Sequence, residues 1–158
     1  MNTIEHSINL PTGARVAVVV AQFNLSVTGM MAEGCLATLA AHGLSTAAVD
    51  EFKVPGAWEL PLACAQLVES GRYSAVIALG AVIRGETPHF DFISAECARG
   101  LMQINLDSGI PVSFGVLTTE NGEQALERAD PARKNKGREV ALAALEMIAF
   151  GEGLAHGG

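Results

Sequence analysis

One histidine, His89, follows the most apolar stretch of the sequence, and its position favours proton transfer at a ligand site. The stretch, Ala75 to Ile83, is uncharged and rich in β-branched residues, as is typical of a buried strand. Gly85 then allows a turn, and Thr87 and Pro88 suit the start of a helix. Because a helix start carries the positive end of the dipole, it favours the neutral imidazole, which can accept a proton. We therefore predict that His89 is catalytic; the alternative is a structural histidine.

The turn before this histidine predicts a site for an anion. Glu86 and Thr87 lie where free main-chain N–H groups open the helix, a geometry that binds phosphate without a dedicated loop. Because the Glu86 side chain would repel a phosphate, main-chain N–H groups and a distant cation would have to bind that phosphate. Arg128 is the candidate cation. The alternatives are a plain helix cap for Thr87 and a surface partner of Gln124 for Arg128.

Aromatic residues on two other predicted loops offer flat apolar surface to a planar heterocycle. Phe23 follows the first predicted strand and Trp58 follows the second, where Glu59 could read the hydrogen-bonding edge of the ring. Each residue alone could cap the core or a helix. Their occurrence on adjacent loops favours a ligand site. The segments expected to converge at the carboxyl edge of the sheet are 22–24, 54–59, 82–89 and 117–119.

Strands and helices alternate along the sequence, which predicts a parallel sheet with helices on both faces. The predicted strands are 15–21, 47–53, 74–83 and 110–117. The predicted helices are 26–42, 58–69, 89–107, 122–129 and 135–150. We expect one domain, 14–150, between an N-terminal tail, 1–13, and a flexible C-terminal tail, 151–158. Residues 7–10 alternate in polarity and could add to a neighbour's sheet.

The composition argues against several partners. The chain has 158 residues, a formal net charge of −7 and only ten lysines and arginines, so it offers little to a nucleic-acid backbone. Its apolar runs fall well short of the about 20 residues that span a bilayer. No secretory signal is evident either, so we expect a cytoplasmic protein without a membrane partner. The hydrophobic fraction of 49% predicts burial in a two-faced sandwich, in an oligomer, or in both.

Cysteine usage and the known cofactor motifs favour chemistry by ordinary side chains. Cys35, Cys64 and Cys97 lie far apart in alanine-rich contexts, which favours core filling over disulfides or a zinc site. The sequence contains no metal-ligand spacing, Walker motif, GxGxxG motif or Ser-His-Asp order. We therefore expect no metal, no cofactor and no covalent nucleophile.

These motifs together resemble one enzyme family, the 6,7-dimethyl-8-ribityllumazine synthases of riboflavin biosynthesis. The most specific stretches are 54–61, 78–91, 114–119 and 123–129, within a match from Val16 to about Ile148. The resemblance implies condensation of 5-amino-6-(D-ribitylamino)uracil with 3,4-dihydroxy-2-butanone 4-phosphate, with loss of phosphate and water and without a cofactor. The expected fold is a three-layer α/β/α sandwich with four parallel strands in the flavodoxin-like order 2-1-3-4.

The resemblance also implies roles for individual residues of one subunit. Phe23 would stack on the ring, the segment at Trp58 would hold the ribityl chain, and the backbone at Val82 would read the pyrimidine. The proposed phosphate turn and the proton-transfer residue His89 coincide with the positions reached from the residues alone. The implied substrate-binding residues are Phe23, Asn24, Ala57, Trp58, Glu59, Ala81, Val82, Ile83, Glu86 and Thr87.

The same resemblance implies that the active site lies between two subunits. An adjacent subunit would supply Phe114 over the ring, Arg128 on the phosphate as a second catalytic residue, and Lys136. The implied partners are small-molecule substrates and further copies of the chain, with riboflavin synthase as an additional candidate. A homopentamer is the expected assembly, with a decamer and a sixty-subunit shell as alternatives. Pro131 stands where shell-forming relatives often have a glycine-containing turn.

Two other classes of function fit parts of the sequence. A flavin- or lumazine-binding module, or a shell subunit without activity, would keep the aromatic loops but would need neither His89 nor Arg128. A flavodoxin-like electron carrier would need a hydroxyl- and glycine-rich phosphate loop after the first strand, where this sequence has residues 22–25, Gln-Phe-Asn-Leu. Both therefore fit the sequence less well than a synthase.

Overall fold

The apolar runs of the sequence form a parallel sheet in the computed structural model, which describes residues 1–156. The strands are β1, Val16–Ala21; β2, Val49–Val54; β3, Ala75–Ile83; and β4, Val112–Thr119. All neighbouring strands pair in parallel, in the order β2-β1-β3-β4. The predicted strand order is confirmed, and every strand end lies within two residues of its predicted position.

Helices occupy the connections between these strands and cover both faces of the sheet. They are α1, Leu25–Ala41; α2, Leu60–Glu69; α3, His89–Ser108; α4, Gly122–Ala129; and α5, Lys136–His156. Short 3-10 turns, Thr46–Ala48 and Ala57–Glu59, precede β2 and α2. None of the helices described within residues 1–156 combines the length and apolarity needed to cross a bilayer.

The sheet separates two hydrophobic cores because side chains alternate along each strand. Val18 lies in the core shared with α1, α4 and α5, whereas its neighbour Val19 lies in the core shared with α2 and α3. Both side chains are fully buried. The predicted three-layer α/β/α sandwich is therefore confirmed, and its flavodoxin-like topology places a switch point between β1 and β3.

The first and last helices cross at very close range. A Cβ atom on Gly137 would meet the main-chain oxygen of Met31 and, at 2.9 Å, the main-chain nitrogen of Cys35. Gly34 on α1 lies equally close to the side chain of Asn135, the residue that precedes α5 with φ 47°. Backbone contact between the two helices thus depends on glycine at position 137, while a side chain at position 34 would displace that of Asn135.

An ion-pair network holds the edge of the sheet opposite the strand carboxyl ends. Asp50 accepts a hydrogen bond of 2.6 Å from the Tyr73 hydroxyl and one of 2.7 Å from the Arg15 guanidinium. These two donors hold the pKa of Asp50 below its ordinary value. For Tyr73, burial and the hydrogen bond to this carboxylate raise the pKa. The network joins the starts of β1, β2 and β3.

The two ends of the chain contact each other. Helix α5 continues to His156, six residues past the predicted end at 150; residues 157–158 lie outside the described residues. Flexibility of the C-terminal tail, 151–158, stays a prediction. The extra turns are covered, because the His6 ring packs against Gly153 and edge-on against Phe150 at 5.6 Å. Leu10 also packs on the core that the sheet shares with α1, α4 and α5. Strand addition to a neighbour stays a prediction.

Candidate active site

A cavity of about 470 Å³ lies at the carboxyl ends of β1, β2 and β3, over the topological switch point. It is formed by the loops that leave these three strands. The predicted site residues that line it are Phe23, Ala57, Trp58, Glu59, Ala81, Val82, Ile83, Thr87 and His89. We call it the first cavity. Most of the site residues that were predicted to come from one subunit therefore line a single cavity at the carboxyl edge of the sheet.

Backbone hydrogen bonds fix the two aromatic loops of the first cavity to each other. The main-chain N–H of Phe23 donates to the oxygen of Pro55 at 2.9 Å, and that of Gln22 donates to the oxygen of Val54 at 2.8 Å. Phe23 and Trp58 are 72% and 58% exposed, although both are large aromatic residues. Solvent-exposed rings on rigidly joined loops are available for a planar ligand.

Asn24 connects the first loop to the end of β3 instead of lining the cavity. Its side-chain amide donates a hydrogen bond of 2.9 Å to the main-chain oxygen of Ala81. The residue adopts the left-handed conformation, φ 63°, and its own carbonyl accepts the first hydrogen bonds of α1. Its position therefore indicates a supporting contact to the predicted pyrimidine-reading strand end.

The predicted phosphate turn lies between β3 and α3. Pro88 is the N-cap residue of α3, and no side chain caps this helix, so the alternative of Thr87 as a plain cap is not supported. Thr87 and Gly85 line the first cavity, whereas Glu86 is exposed and does not. His89 begins the helix at the cavity wall. The first main-chain N–H groups of a helix lack a partner within it and can bind an anion. In α3 this applies to His89 and Phe90, because the N–H groups of Asp91 and Phe92 donate to the oxygen of Pro88.

Arg84, which the sequence reasoning did not assign, makes the densest set of contacts around this turn. Its Nε donates to Glu120 at 2.8 Å and its Nη1 to Asp91 at 3.4 Å. The guanidinium also lies 4.3 Å from the ring centroid of Phe90, which itself lines the first cavity. The sequence signal that could have indicated this role is an arginine directly after a predicted strand, Arg84, followed seven residues later by a carboxylate, Asp91.

A second cavity, of about 380 Å³, lies along the outer edge strand β4. It is lined by Phe114, Arg128 and Lys136, the three residues predicted to come from an adjacent subunit, together with Lys134 and Glu139. Arg128 donates to the main-chain oxygen of Gln124 at 3.1 Å and lies 3.9 Å from Glu127. Within one chain these residues therefore lie together, in a cavity different from that of His89.

Segment 117–119 lies at the carboxyl edge of the sheet, as expected, where Thr119 pairs with Ile83 of β3, but it is not among the described residues that line the first cavity. Leu117 and Thr118 line the second cavity, and Thr119 is buried. The reason is the strand order: β4 is an edge strand beyond β3, while the first cavity lies over β2, β1 and β3. The main chain of Thr119 still contacts the phosphate turn, since its oxygen accepts from the Arg84 N–H at 2.9 Å.

The cysteines take no part in either cavity. All three are buried without a disulfide, and burial raises the pKa of Cys35 and Cys64 to about 12 and that of Cys97 to about 11. They are thus protonated and poor nucleophiles at neutral pH. Among residues 1–156, no three or more His, Cys, Asp or Glu side chains are grouped as they would be in a metal site.

The fold and the first cavity define a flavodoxin-like α/β protein with a small-molecule site at its switch point. The model of the 6,7-dimethyl-8-ribityllumazine synthase family matches residues 13–152, and the chain belongs to this family. It is accordingly a transferase of riboflavin biosynthesis. The family is known for oligomeric assembly and small-molecule substrates, in agreement with the expected class of partners.

Proposed function

We propose that the chain condenses 5-amino-6-(D-ribitylamino)uracil with 3,4-dihydroxy-2-butanone 4-phosphate to 6,7-dimethyl-8-ribityllumazine, releasing phosphate and water. Family membership supports lumazine synthase activity. The first cavity supports the choice of pyrimidine substrate, since exposed Phe23 and Trp58 offer stacking surface beside the strand end at Val82. Its volume of about 470 Å³ is within the usual range for small-molecule sites.

The observation that carries the proposal is the distribution of charge between the two cavities. Among the described residues that line the first cavity there is no lysine or arginine, although a phosphate dianion needs a cation nearby. The second cavity contains Arg128, Lys134 and Lys136 against one carboxylate, that of Glu139. We infer that the second cavity of one subunit completes the first cavity of its neighbour.

Exposed apolar side chains support assembly into such an oligomer. On α3, Phe92, Met102 and Leu106 are 66%, 58% and 74% exposed, and Leu62 on α2 is 65% exposed. Apolar area of this kind on adjacent helices is typical of a surface that another copy covers. We propose a cytoplasmic homopentamer. A decamer, a sixty-subunit shell and association with riboflavin synthase are further assemblies compatible with it.

In this site, orientation and proton transfer supply the catalysis. The amino group of the pyrimidine adds to the ketone carbon of the second substrate, and a first water leaves as the imine forms. Loss of a proton and of the phosphate then gives an enol, which becomes a new ketone. The ribitylamino nitrogen adds to this ketone carbon, and a second water leaves as the ring closes. Holding both substrates in one cavity makes the addition effectively unimolecular. His89, which begins α3 at the wall of the first cavity, moves protons between these groups. Arg128 and the free N–H groups of the α3 start hold the phosphate.

Lumazine fluorescence in a mixture of the purified oligomer and both substrates tests the activity. Product formation is expected. We expect His89→Ala to slow turnover by at most about 10²–10⁴-fold and not to abolish it, because orientation is retained. Binding of lumazine without any turnover would instead support a binding module that lacks the reaction.

The shared site is tested by co-expressing His89→Ala and Arg128→Ala subunits with different affinity tags. A mixed oligomer contains some sites in which the intact His89 of one subunit meets the intact Arg128 of its neighbour. Activity above that of either variant alone is therefore expected. Activity no higher than the average of the two variants would contradict a site built from two subunits.

A further inference from the structure

We propose that Arg84 is a positioning residue that fixes the turn 85–89 and thereby the imidazole of His89; this inference rests on the function proposed above. Arg84 follows β3 directly and does not itself line the first cavity. It must therefore act through residues that do line it. Phe90, under the guanidinium at 4.3 Å, is the neighbour of His89 in the chain and a lining residue.

The contacts of Arg84 span the turn from one end to the other. Its main-chain N–H and its Nε hold the end of β4, through Thr119 at 2.9 Å and Glu120 at 2.8 Å. Its Nη1 holds the first turn of α3, through Asp91 at 3.4 Å. One planar guanidinium thus joins a strand end to the helix start, with residues 85–89 between the two anchors.

Apart from main-chain hydrogen bonds that the oxygen of Pro88 accepts from Asp91 at 3.0 Å and Phe92 at 3.4 Å, little else holds the turn. Across the described residues, 85–88 make no side-chain hydrogen bond, and α3 begins without a side-chain cap. Gly85 lies in open space, because a Cβ atom at this position would meet no other atom within 4 Å. Without Arg84, the first residues of α3 and the imidazole at its start would sample a wider range of positions.

The arrangement requires the geometry of arginine and not only its charge. A guanidinium offers several N–H donors in one plane and a flat face that stacks on an aromatic ring. Lysine would keep the positive charge but could not contact Glu120, Asp91 and the Phe90 ring at once. The Arg84 side chain is 40% exposed, so these contacts add modestly to the stability of the whole fold. Their effect should be concentrated at the site.

The contacts that Arg84 already makes argue against the alternative that it binds the substrate phosphate directly. Two carboxylates and an aromatic face occupy its guanidinium, while Thr87 and His89, and not Arg84, are among the described residues that line the first cavity. A direct phosphate contact would lower affinity for the butanone phosphate when removed. A positioning role would lower kcat instead, with little change in either Michaelis constant.

The kinetic test compares wild type, Arg84→Ala, Arg84→Lys, His89→Ala and the double variant Arg84→Ala/His89→Ala as intact oligomers. We expect kcat to fall about 10-fold or more in Arg84→Ala, because small misplacement of a proton-transfer group is costly. Arg84→Lys should recover little of this loss. In the His89→Ala background the loss should nearly vanish, since the two residues act as one unit. An equal loss in both backgrounds, or a change in Michaelis constant alone, would overturn the proposal.

Hydrogen exchange gives a readout that does not depend on the reaction. Main-chain amides of 85–91 should exchange faster in Arg84→Ala than in wild type, while those of β1 and β3 stay unchanged. Arg99→Ala is the matched control, because Arg99 lies further along α3 in an exposed pair with Glu96 at 2.7 Å. Unchanged exchange in 85–91 would refute the role of Arg84. Failure of the wild-type oligomer to form lumazine would refute the proposed function and leave this measurement valid.

Discussion

The side-chain amide of Asn24 and the main-chain oxygen of Ala81 are joined by a hydrogen bond of 2.9 Å, which ties the loop after β1 to the end of β3. This bond crosses the topological switch point and sets the spacing of the two loops that bear Phe23 and His89. The loop proposed to stack on the ring and the strand that leads to the proposed proton-transfer residue are therefore joined by Asn24, which is not among the described residues that line either cavity.

Asn24→Ala should destabilise the protein more than Asn24→Gly. Both variants lose the hydrogen bond, worth about 1 kcal/mol net. Alanine also has to adopt the left-handed conformation at φ 63°, which costs about 1 kcal/mol or more and which glycine adopts freely. Urea unfolding of both variants measures the difference. Equal free energies of unfolding would show that the conformation of this residue carries no strain.

Ligand binding should quench the fluorescence of Trp58. This residue is the only tryptophan of the chain, is 58% exposed and lines the first cavity, so a pyrimidine stacked there would contact it directly. Titration with the ribitylamino-pyrimidine should give a saturable change, while inorganic phosphate alone should give little. Trp58→Phe removes the signal and should retain binding by calorimetry. If Trp58 fluorescence did not change at a ligand concentration that calorimetry shows to be saturating, the pyrimidine ring would bind away from Trp58.

Arg128→Ala should raise the Michaelis constant for the butanone phosphate by about 10-fold or more, because a charge-assisted contact to phosphate is lost. The Michaelis constant for the pyrimidine should change little. Arg133→Ala is the matched control: Arg128 and Arg133 both lie 3.9 Å from Glu127, but only Arg128 lines the second cavity. Steady-state kinetics of both variants measure the effect. Identical constants for the two variants would remove Arg128 from the phosphate site.

Stability in acid should depend on Asp50. Its pKa in the folded protein lies below the ordinary value of 3.8, because Tyr73 and Arg15 donate hydrogen bonds to the carboxylate. A group with a lowered folded pKa stabilises the fold above its unfolded pKa, and this contribution is lost as the pH falls through the folded pKa. Asp50→Asn should thus be less stable than wild type at neutral pH, and the gap should close below about pH 4. Urea unfolding from neutral pH to below about pH 4 measures the difference in free energy of unfolding between wild type and Asp50→Asn. A difference that does not change with pH would contradict the role of the Asp50 pKa.

Gly137→Ala should destabilise the protein strongly, whereas Gly151→Ala on the same helix should not. The new methyl group at 137 would collide with the main chain of α1 at Met31 and Cys35, which cannot move aside without shifting the helix. Overpacking of this kind costs about 1–3 kcal/mol or more. Position 151 has open space, where alanine should be neutral or gain up to about 1 kcal/mol. Thermal unfolding of the two variants would contradict this if it ranked them the other way.

The strands and the first cavity could be predicted because the signals are local. Apolar runs such as Ala75 to Ile83 specify a buried parallel strand, and the carboxyl-edge rule then assigns the loops that follow it. The aromatic residues and His89 lie on three such loops, and they do line one cavity. The strand order, which places β4 beyond β3, depends on packing that no single segment encodes; it was predicted from the resemblance of the whole sequence to a family.

Contacts between distant segments were missed for the same reason. The last turns of α5, beyond its predicted end, contact His6, which lies far away in sequence and packs against Gly153 and Phe150. The role of Arg84 depends on Glu120, a residue of another loop that the strand pairing brings within 2.8 Å. The Arg128 and His89 cavities are separate in one chain, so the site proposed to combine them requires a second subunit.

The location of the two cavities on different parts of one chain also limits the form of the proposed assembly. If the first cavity of one subunit faces the second cavity of the next, the subunits are arranged head to tail. An open row would then leave a first cavity without a partner at one end and a second cavity without a partner at the other. Only a closed ring gives every copy a complete partner on both sides. Dilution that opened such rings would therefore cut specific activity per chain, even while each polypeptide stayed folded.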